Sequence, residues 1–212
     1  EFIFEDQNMM NQYENDMFNL LSQELKGKVY EQMNGKLIYE NKVLLANFSK
    51  RLLYQVSAKI EERTYTPGEK VYGPSDVNHS LYFVVKGTLE MYMPRGDRSC
   101  YIIKKGEHTG ALSFFTDMPR TFEVKSANFS HVLFLQRAKF LETLQEFPHD
   151  KEAFCMIRDQ IMNYQDYSVL QSPCCVCHNS AHTLETCPRI QYIPDKETII
   201  KDYLIEEENE RR

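Results

Sequence analysis

A chain of 212 residues with 42% apolar and 26% charged content is long enough for one substantial core and a small appendage, which excludes a disordered or fibrous protein. The formal net charge of -6 argues against a broad basic face that grips nucleic acid, because phosphate neutralisation needs clustered Lys and Arg. Much of the acid lies at the ends, in Glu1, Glu5, Asp6, Glu14 and Asp16 and again from Glu206 to Glu210, and reads as solvated termini.

The chain has no initiator Met, no signal peptide and no apolar run near the roughly 20 residues of a membrane span. The expectation is a soluble piece cut from something longer. From about Asn15 to Ile38, apolar residues recur at Leu21, Leu25, Val29, Met33 and Leu37, the spacing of one helical face, with Ser22 as an N-cap. A second amphipathic stretch, Ser49 to Glu62, carries Leu52, Leu53, Val56 and Ile60 on one side, and the helical region is expected to end there.

Between Arg63 and Gln136 the texture changes to short β-rich runs: "TYTPGEKVY", "SLYFVVKG", "TLEMYM", "SCYIIKKG", "RTFEVKSA" and "SHVLFLQR". Gly68, Gly73, Gly87, Gly96, Gly106 and Gly110 punctuate them, six of the 8 glycines in the chain, so the turns of the molecule concentrate here. Many short strands with glycine turns argue for an antiparallel barrel or roll, and "PRGDR" at Pro94 to Arg98 reads as its clearest hairpin turn. Helix returns in "RAKFLETLQEF", which stops at Pro148. It continues in "DKEAFCMIRDQIMNYQDYSVL", with Phe154, Ile157, Ile161 and Tyr164 at helical spacing. The fold class expected is α+β: an antiparallel, jelly-roll-like β-roll flanked by N-terminal and C-terminal helices.

Two segments carry chemistry. In "GALSFFTDMPRTFEV", Gly110 to Val124, a glycine-led turn opens a short helix and an arginine follows a proline. In "CCVCHNSAHTLETC" the residues fall as Cys174-x2-Cys177-x4-His182-x4-Cys187, the spacing of a zinc knuckle. Bunched cysteines in an intracellular chain point to metal before disulfide, and three thiolates with one imidazole satisfy tetrahedral zinc in a segment too short to bury a core. Cys175 and His178 are spare, and a ligand set shifted onto either stays open.

These residues carry a resemblance to the cyclic-nucleotide-binding domain family. "YTPGEKVYGPSDVNHSLYFVVKGTLEMY" is similar to that family's opening strands, and "GALSFFTDMPRTFEV" to its phosphate-binding cassette; the likeness covers roughly Val43 to Leu170. "FNLLSQELKGKVYEQMNGKLI" resembles part of the linker that joins this domain to the last membrane helix of voltage- and cyclic-nucleotide-gated cation channels. The ciliate members, with an Asn-Gly-Lys segment and a Cys/His cluster after the domain, are similar. The resemblance implies four parts: partial linker helices over 1–42, the cyclic-nucleotide-binding-like domain over 43–170, a CCHC knuckle over 171–190, and a tail helix with an acidic end over 191–212.

It also implies cAMP or cGMP as ligand, met by backbone N–H groups of Ala111, Leu112 and Ser113 behind Gly110, by the Arg120 guanidinium and by the Thr121 hydroxyl. The helix "FCMIRDQIMNYQ" would be a lid, with Met156, Ile157, Arg158 and Ile161 towards the base. The alternative for Phe154, Ile157 and Ile161 is core packing on the roll, and for Arg120 an ion pair on a strand.

Two positions depart from the family pattern. Ala111 stands where a glutamate accepts from the ribose 2′-OH, and the loss of such a hydrogen bond costs about 1.5–3 kcal/mol, roughly tenfold to a hundredfold in affinity. Phe122 stands where a small residue is usual and, pointing inward, would fill part of the pocket.

No catalytic constellation is read, so the chain is not expected to be an enzyme. The expectation is a regulatory domain on the cytosolic face of a membrane, partnered by the rest of a potassium-type channel polypeptide and its pore, with a homotetramer left open. A ligand-free scaffold is one alternative. The other, a nucleic-acid adaptor acting through the knuckle, lacks the interleaved aromatic and basic residues such binding uses.

Overall fold

The computed structural model describes residues 41–93, 99–170, 174, 176, 177, 179, 181–184, 187–189, 196, 197, 199–201, 203 and 204. The expected helices before residue 41, the turn at 94–98, the spare ligands Cys175 and His178, and the acidic end lie outside them. Lys196, Glu197, Ile199 to Lys201, Tyr203 and Leu204 are helical. Among the described residues no helix is long and apolar enough to cross a membrane.

Two short helices open the described chain. The Asn41 side chain caps α1 (Lys42–Asn47) by accepting from the Leu44 N–H, and Ser49 caps α2 (Lys50–Ser57) through Leu52. Helix α2 buries Leu52, Leu53 and Val56, as their spacing predicts, but it stops at Ser57 instead of running to Glu62. The chain turns at Lys59, whose N–H bonds the Val56 carbonyl, and Glu61 already pairs with Phe134. Ile60 continues the helical period because it too packs on the core, and that is what hides the boundary in the sequence.

Eight strands follow: β1 (Glu61–Tyr65), β2 (Lys70–Tyr72), β3 (Leu81–Lys86), β4 (Leu89–Tyr92), β5 (Ser99–Ile103), β6 (His108–Thr109), β7 (Glu123–Ser126) and β8 (Ser130–Leu135). They form two antiparallel four-stranded sheets, ordered β1-β8-β3-β6 and β2-β7-β4-β5, so neighbours in sequence repeatedly lie in different sheets. Helix α3 (Ala111–Thr116) interrupts the strands, and α4 (Arg137–Leu144), α5 (Pro148–Tyr164) and a 3-10 turn at Ser168–Leu170 close the domain. The fold is thus an antiparallel β-roll flanked by helices.

Strand β3, inside the first sheet, is buried on both faces over Leu81 to Val84, which is why it reads as a continuous apolar run. Tyr82 and Val84 of β3, with Val132 of β8, face the other sheet and join Tyr65, Tyr72, Leu89, Ile103 and Val124. Leu81 and Phe83, with Leu133 and Leu135, face the helices and meet Leu52, Phe114, Phe115, Phe140, Phe154, Ile157 and Ile161. Ile157 and Ile161 are therefore core, while Met156 and Tyr164 are exposed on α5.

Candidate anion site and Cys/His cluster

Strand β6 delivers the chain to Gly110, which takes the left-handed conformation (φ 90°) and heads α3. A Cβ at this position would lie 2.8 Å from the Ser80 carbonyl oxygen and 2.7 Å from Arg120 Nη1, so glycine is required both by the backbone and by the closeness of the arginine. As at any helix start, the N–H groups of Ala111, Leu112 and Ser113 have no carbonyl partner within the helix. Ala111 and Ser113 are buried; Leu112 is partly buried and packs on the helix-side core. The helix ends at Asp117, also left-handed, whose N–H bonds the Ser113 carbonyl.

Asp117 is clamped from two sides. Its carboxylate lies 2.7 Å from His79 Nδ1 and 3.5 Å from Arg137 Nη1, while Arg137 Nε donates to the Phe114 carbonyl at 2.9 Å. Helix α3 is thereby tied to the start of α4.

Arg120 is 4% exposed. Its Nη2 donates to the Ser80 carbonyl at 2.6 Å, and its guanidinium lies over the Tyr72 ring at 3.9 Å and over the Tyr82 ring at 5.5 Å. Its Nε is buried without a hydrogen-bond partner. Among the described residues no carboxylate forms an ion pair with it, so it is not the strand ion pair that the bland alternative supposed. Burial pushes the Tyr72 and Tyr82 phenols up against the opposing pull of the Arg120 charge, so both stay neutral near pH 7. The Tyr72 hydroxyl is paired with Thr109 Oγ1. A buried cation with aromatic walls and no counter-charge is costly unless an anion completes it.

Thr121 follows at the rim, partly buried. Phe122 is partly buried and packs against Cys174, Leu184 and Cys187, not in the pocket as inward alternation would have placed it. Arg158 is half-exposed on α5 and holds Asp159 at 3.0 Å, so it is engaged with its neighbour rather than brought to Arg120. The walls supplied by Tyr72, Tyr82 and Ser80 are the functional residues that reading the sequence missed. Tyr72 and Tyr82 come from two different sheets and Ser80 from the loop before β3, so no local pattern pointed to them.

Cys174, Cys177, His182 and Cys187 converge, each offering one donor atom, and these donors lie within 4.8 Å of one another. Tetrahedral zinc with Zn–S near 2.3 Å needs sulfurs about 3.8 Å apart, so the donor set fits after a small contraction. Cys177 Sγ lies 3.1 Å from His182 Nε2. Burial alone would raise the Cys174 thiol, but the N–H groups of Cys177 and Val176 and the neighbouring thiols outweigh it and lower it to about 7. Cys187 is pushed up, chiefly by burial.

Comparison with known proteins places the roll. Residues 62–147 match the family model for the cyclic nucleotide-binding domain. Similar curated proteins include the potassium channel SKOR of Arabidopsis thaliana, 28% identical over 118 residues, which span 54% of this chain and 14% of that protein. Cyclic nucleotide-gated channel alpha-4 of Mus musculus is 25% identical over 111 residues, spanning 50% of this chain and 19% of the relative. The match thus spans less than a fifth of each of these channels. Among solved structures, one titled "cAMP bound PfPKA-R (141-441)" is similar at 19% identity with a TM-score of 0.49, covering 68% of this chain and 47% of that one.

Proposed function

We propose that this chain is the cytosolic regulatory domain of a cation-channel polypeptide and that it takes a cyclic nucleotide with the phosphate at Arg120. The observation that carries the reading is the buried Arg120 guanidinium, open at Nε and without an acidic partner, beside the N-terminus of α3. Support comes also from the channel relatives and from a mechanical route out of the pocket. Phe115 of α3 meets Phe154 of α5 with ring centroids 5.6 Å apart. The buried Asp150, in the first turn of α5, accepts from the Ser49 N–H at 2.7 Å and from Ser49 Oγ at 2.6 Å, which ties α5 to the cap of α2. An anion that shifts α3 would thus act on α5, and through it on the helices that lead towards a pore. The ciliate assignment rests on the Asn-Gly-Lys segment and the Cys/His cluster, and the potassium-type assignment on family likeness alone.

Titration of the 212-residue chain with cAMP and cGMP by calorimetry tests this. Saturable binding is expected, abolished in Arg120→Ala. No heat from either nucleotide at millimolar concentration, in parent and variant alike, would sink the reading in favour of a ligand-free scaffold.

A second reading is carried by the convergence of the four donors: zinc held by Cys174, Cys177, His182 and Cys187 as a structural clasp after the lid helix. Its docking on Phe122, Met91 and Cys100 favours a clasp over a nucleic-acid platform. Metal analysis of protein purified without added zinc is expected to return about one equivalent, lost in Cys177→Ser. Retention of the metal by that variant would refute the ligand set.

A further inference from the structure

The Cys/His cluster is not independent of the anion pocket. Among the described residues its buried core is Cys174, Leu184 and Cys187, with Val176 and Cys177 partly buried beside them, and the roll adds Phe122, Met91 and Cys100. Two of those three stand one step from Arg120. Phe122 follows it by two residues and leads directly into β7, so the seat of its ring determines how the backbone leaves the cassette. Met91 touches the cluster on one side and, on the other, the inter-sheet core that contains Tyr72 and Tyr82, the rings that hold the guanidinium. Cys100 Sγ donates to the Met91 carbonyl at 3.2 Å and pins the paired ends of β4 and β5 at the same place.

A segment this short, in which Cys174, Leu184 and Cys187 are the buried residues among those described, has little apolar area to hold its own shape, and a metal supplies the folding free energy in such cases. Its loss would take away the surface on which Phe122 and Met91 pack. We infer that metal binding at the cluster sets the order of the cassette exit, Arg120 to Val124, and so the readiness of Arg120 to receive an anion. The inference rests on the zinc reading above. By linkage, any effect of metal on anion affinity must be matched by an equal effect of the anion on metal affinity.

Hydrogen exchange on the full 212-residue chain, with one equivalent of Zn2+ and then with chelator, tests it. Metal removal is expected to speed exchange at residues 120–124 by about tenfold while the central strands β3 and β8 hold their protection. Phe122→Ala in the zinc-loaded chain should reproduce the change with zinc still bound, and Phe122→Leu, which keeps an apolar contact, should largely restore protection. With labelled cAMP as probe, chelation should weaken binding by about fivefold or more, the lower end of usual site-to-site coupling. Saturating cAMP should tighten Zn2+ binding by the same factor. Exchange changes confined to residues 174–189, or a Phe122→Ala variant with unchanged exchange at 120–124, would overturn the proposal. Absence of zinc uptake would overturn it together with the metal reading. Absence of cAMP binding would overturn the nucleotide reading and the coupling to it, but not the ordering of residues 120–124, because the exchange measurement uses no nucleotide.

Discussion

The Arg120 site proposed to take an anion and the Cys/His cluster are built on opposite terms. The pocket lies where two cores meet: Tyr72 and Tyr82 belong to the layer between the sheets, and Phe114 and Phe115 of the cassette helix belong to the layer under the helices. Its walls fold for their own reasons, and Arg120 is seated by Ser80 and the tyrosines without any ligand. Among the described residues the cluster has little core beyond its four donor residues and Leu184, and further apolar partners come from the roll. A site of the first kind keeps its shape without a ligand; a site of the second kind, on the zinc reading proposed above, would stand or fall with the metal.

The largest blow to the pocket is expected from Gly110→Ala. The left-handed backbone alone costs on the order of 1–3 kcal/mol for a residue with a Cβ, and the new methyl would press on the Ser80 carbonyl and on Arg120 Nη1. Urea denaturation should show a loss in that range together with loss of cAMP binding. An equal midpoint to the parent would mean that Gly110 is not held where the structure has it. The same variant should leave zinc content unchanged, since the cluster meets the roll at Phe122, Met91 and Cys100 and not at Gly110.

A smaller change sharpens the contrast between a surviving phosphate half and a missing ribose half. Ala111→Glu restores the acceptor that the family resemblance places there, and a charge-assisted hydrogen bond of about 1.5–3 kcal/mol should tighten cAMP roughly tenfold to a hundredfold. Calorimetry decides it. Unchanged affinity would show that the ribose does not approach residue 111, and with it that the nucleotide pose carried over from the resemblance is wrong for this chain.

How much of this could be read from the chain depends on where each signal was generated. The cassette was readable because its requirements are local: Gly110 for a left-handed turn, a short helix, and Arg120 at a fixed remove. The strands announced themselves through glycine turns and apolar runs, and the four convergent donors through spacing alone. Strand β6, two residues long, left no period to detect. The end of α2 was masked by Ile60, which serves the core in either conformation. The tyrosine walls of Arg120 and the seat of Phe122 were not readable, because both are set by packing between segments far apart in sequence. Phe122 was weighed only against the pocket beside it, whereas its partners lie more than fifty residues later, in the cluster of Cys174, Leu184 and Cys187.

The smallest expected effect concerns His108, two residues before Gly110 on the strand that feeds the cassette. Asn41 Oδ1 is committed to the Leu44 N–H as a helix cap, so its Nδ2 faces His108 Nδ1, 3.1 Å away, as donor. The imidazole Nδ1 must then accept, and the proton sits on Nε2, which is buried without a partner. Protonation would turn Nδ1 into a donor facing a donor, and burial disfavours the charge; Glu107 opposes this only in part, and the His108 pKa lies below its ordinary 6.5. The unfolded chain therefore takes up the proton first as pH falls. The stability attached to His108 is complete above about pH 6.5 and declines below it, with a slope of at most about 1.4 kcal/mol per pH unit, until the folded-state value is reached. Denaturation midpoints between pH 7 and pH 5 should fall less steeply in His108→Gln than in the parent, the other histidines serving both as common background. Coincident slopes would mean that the buried imidazole is not what makes this side of the pocket sensitive to acid.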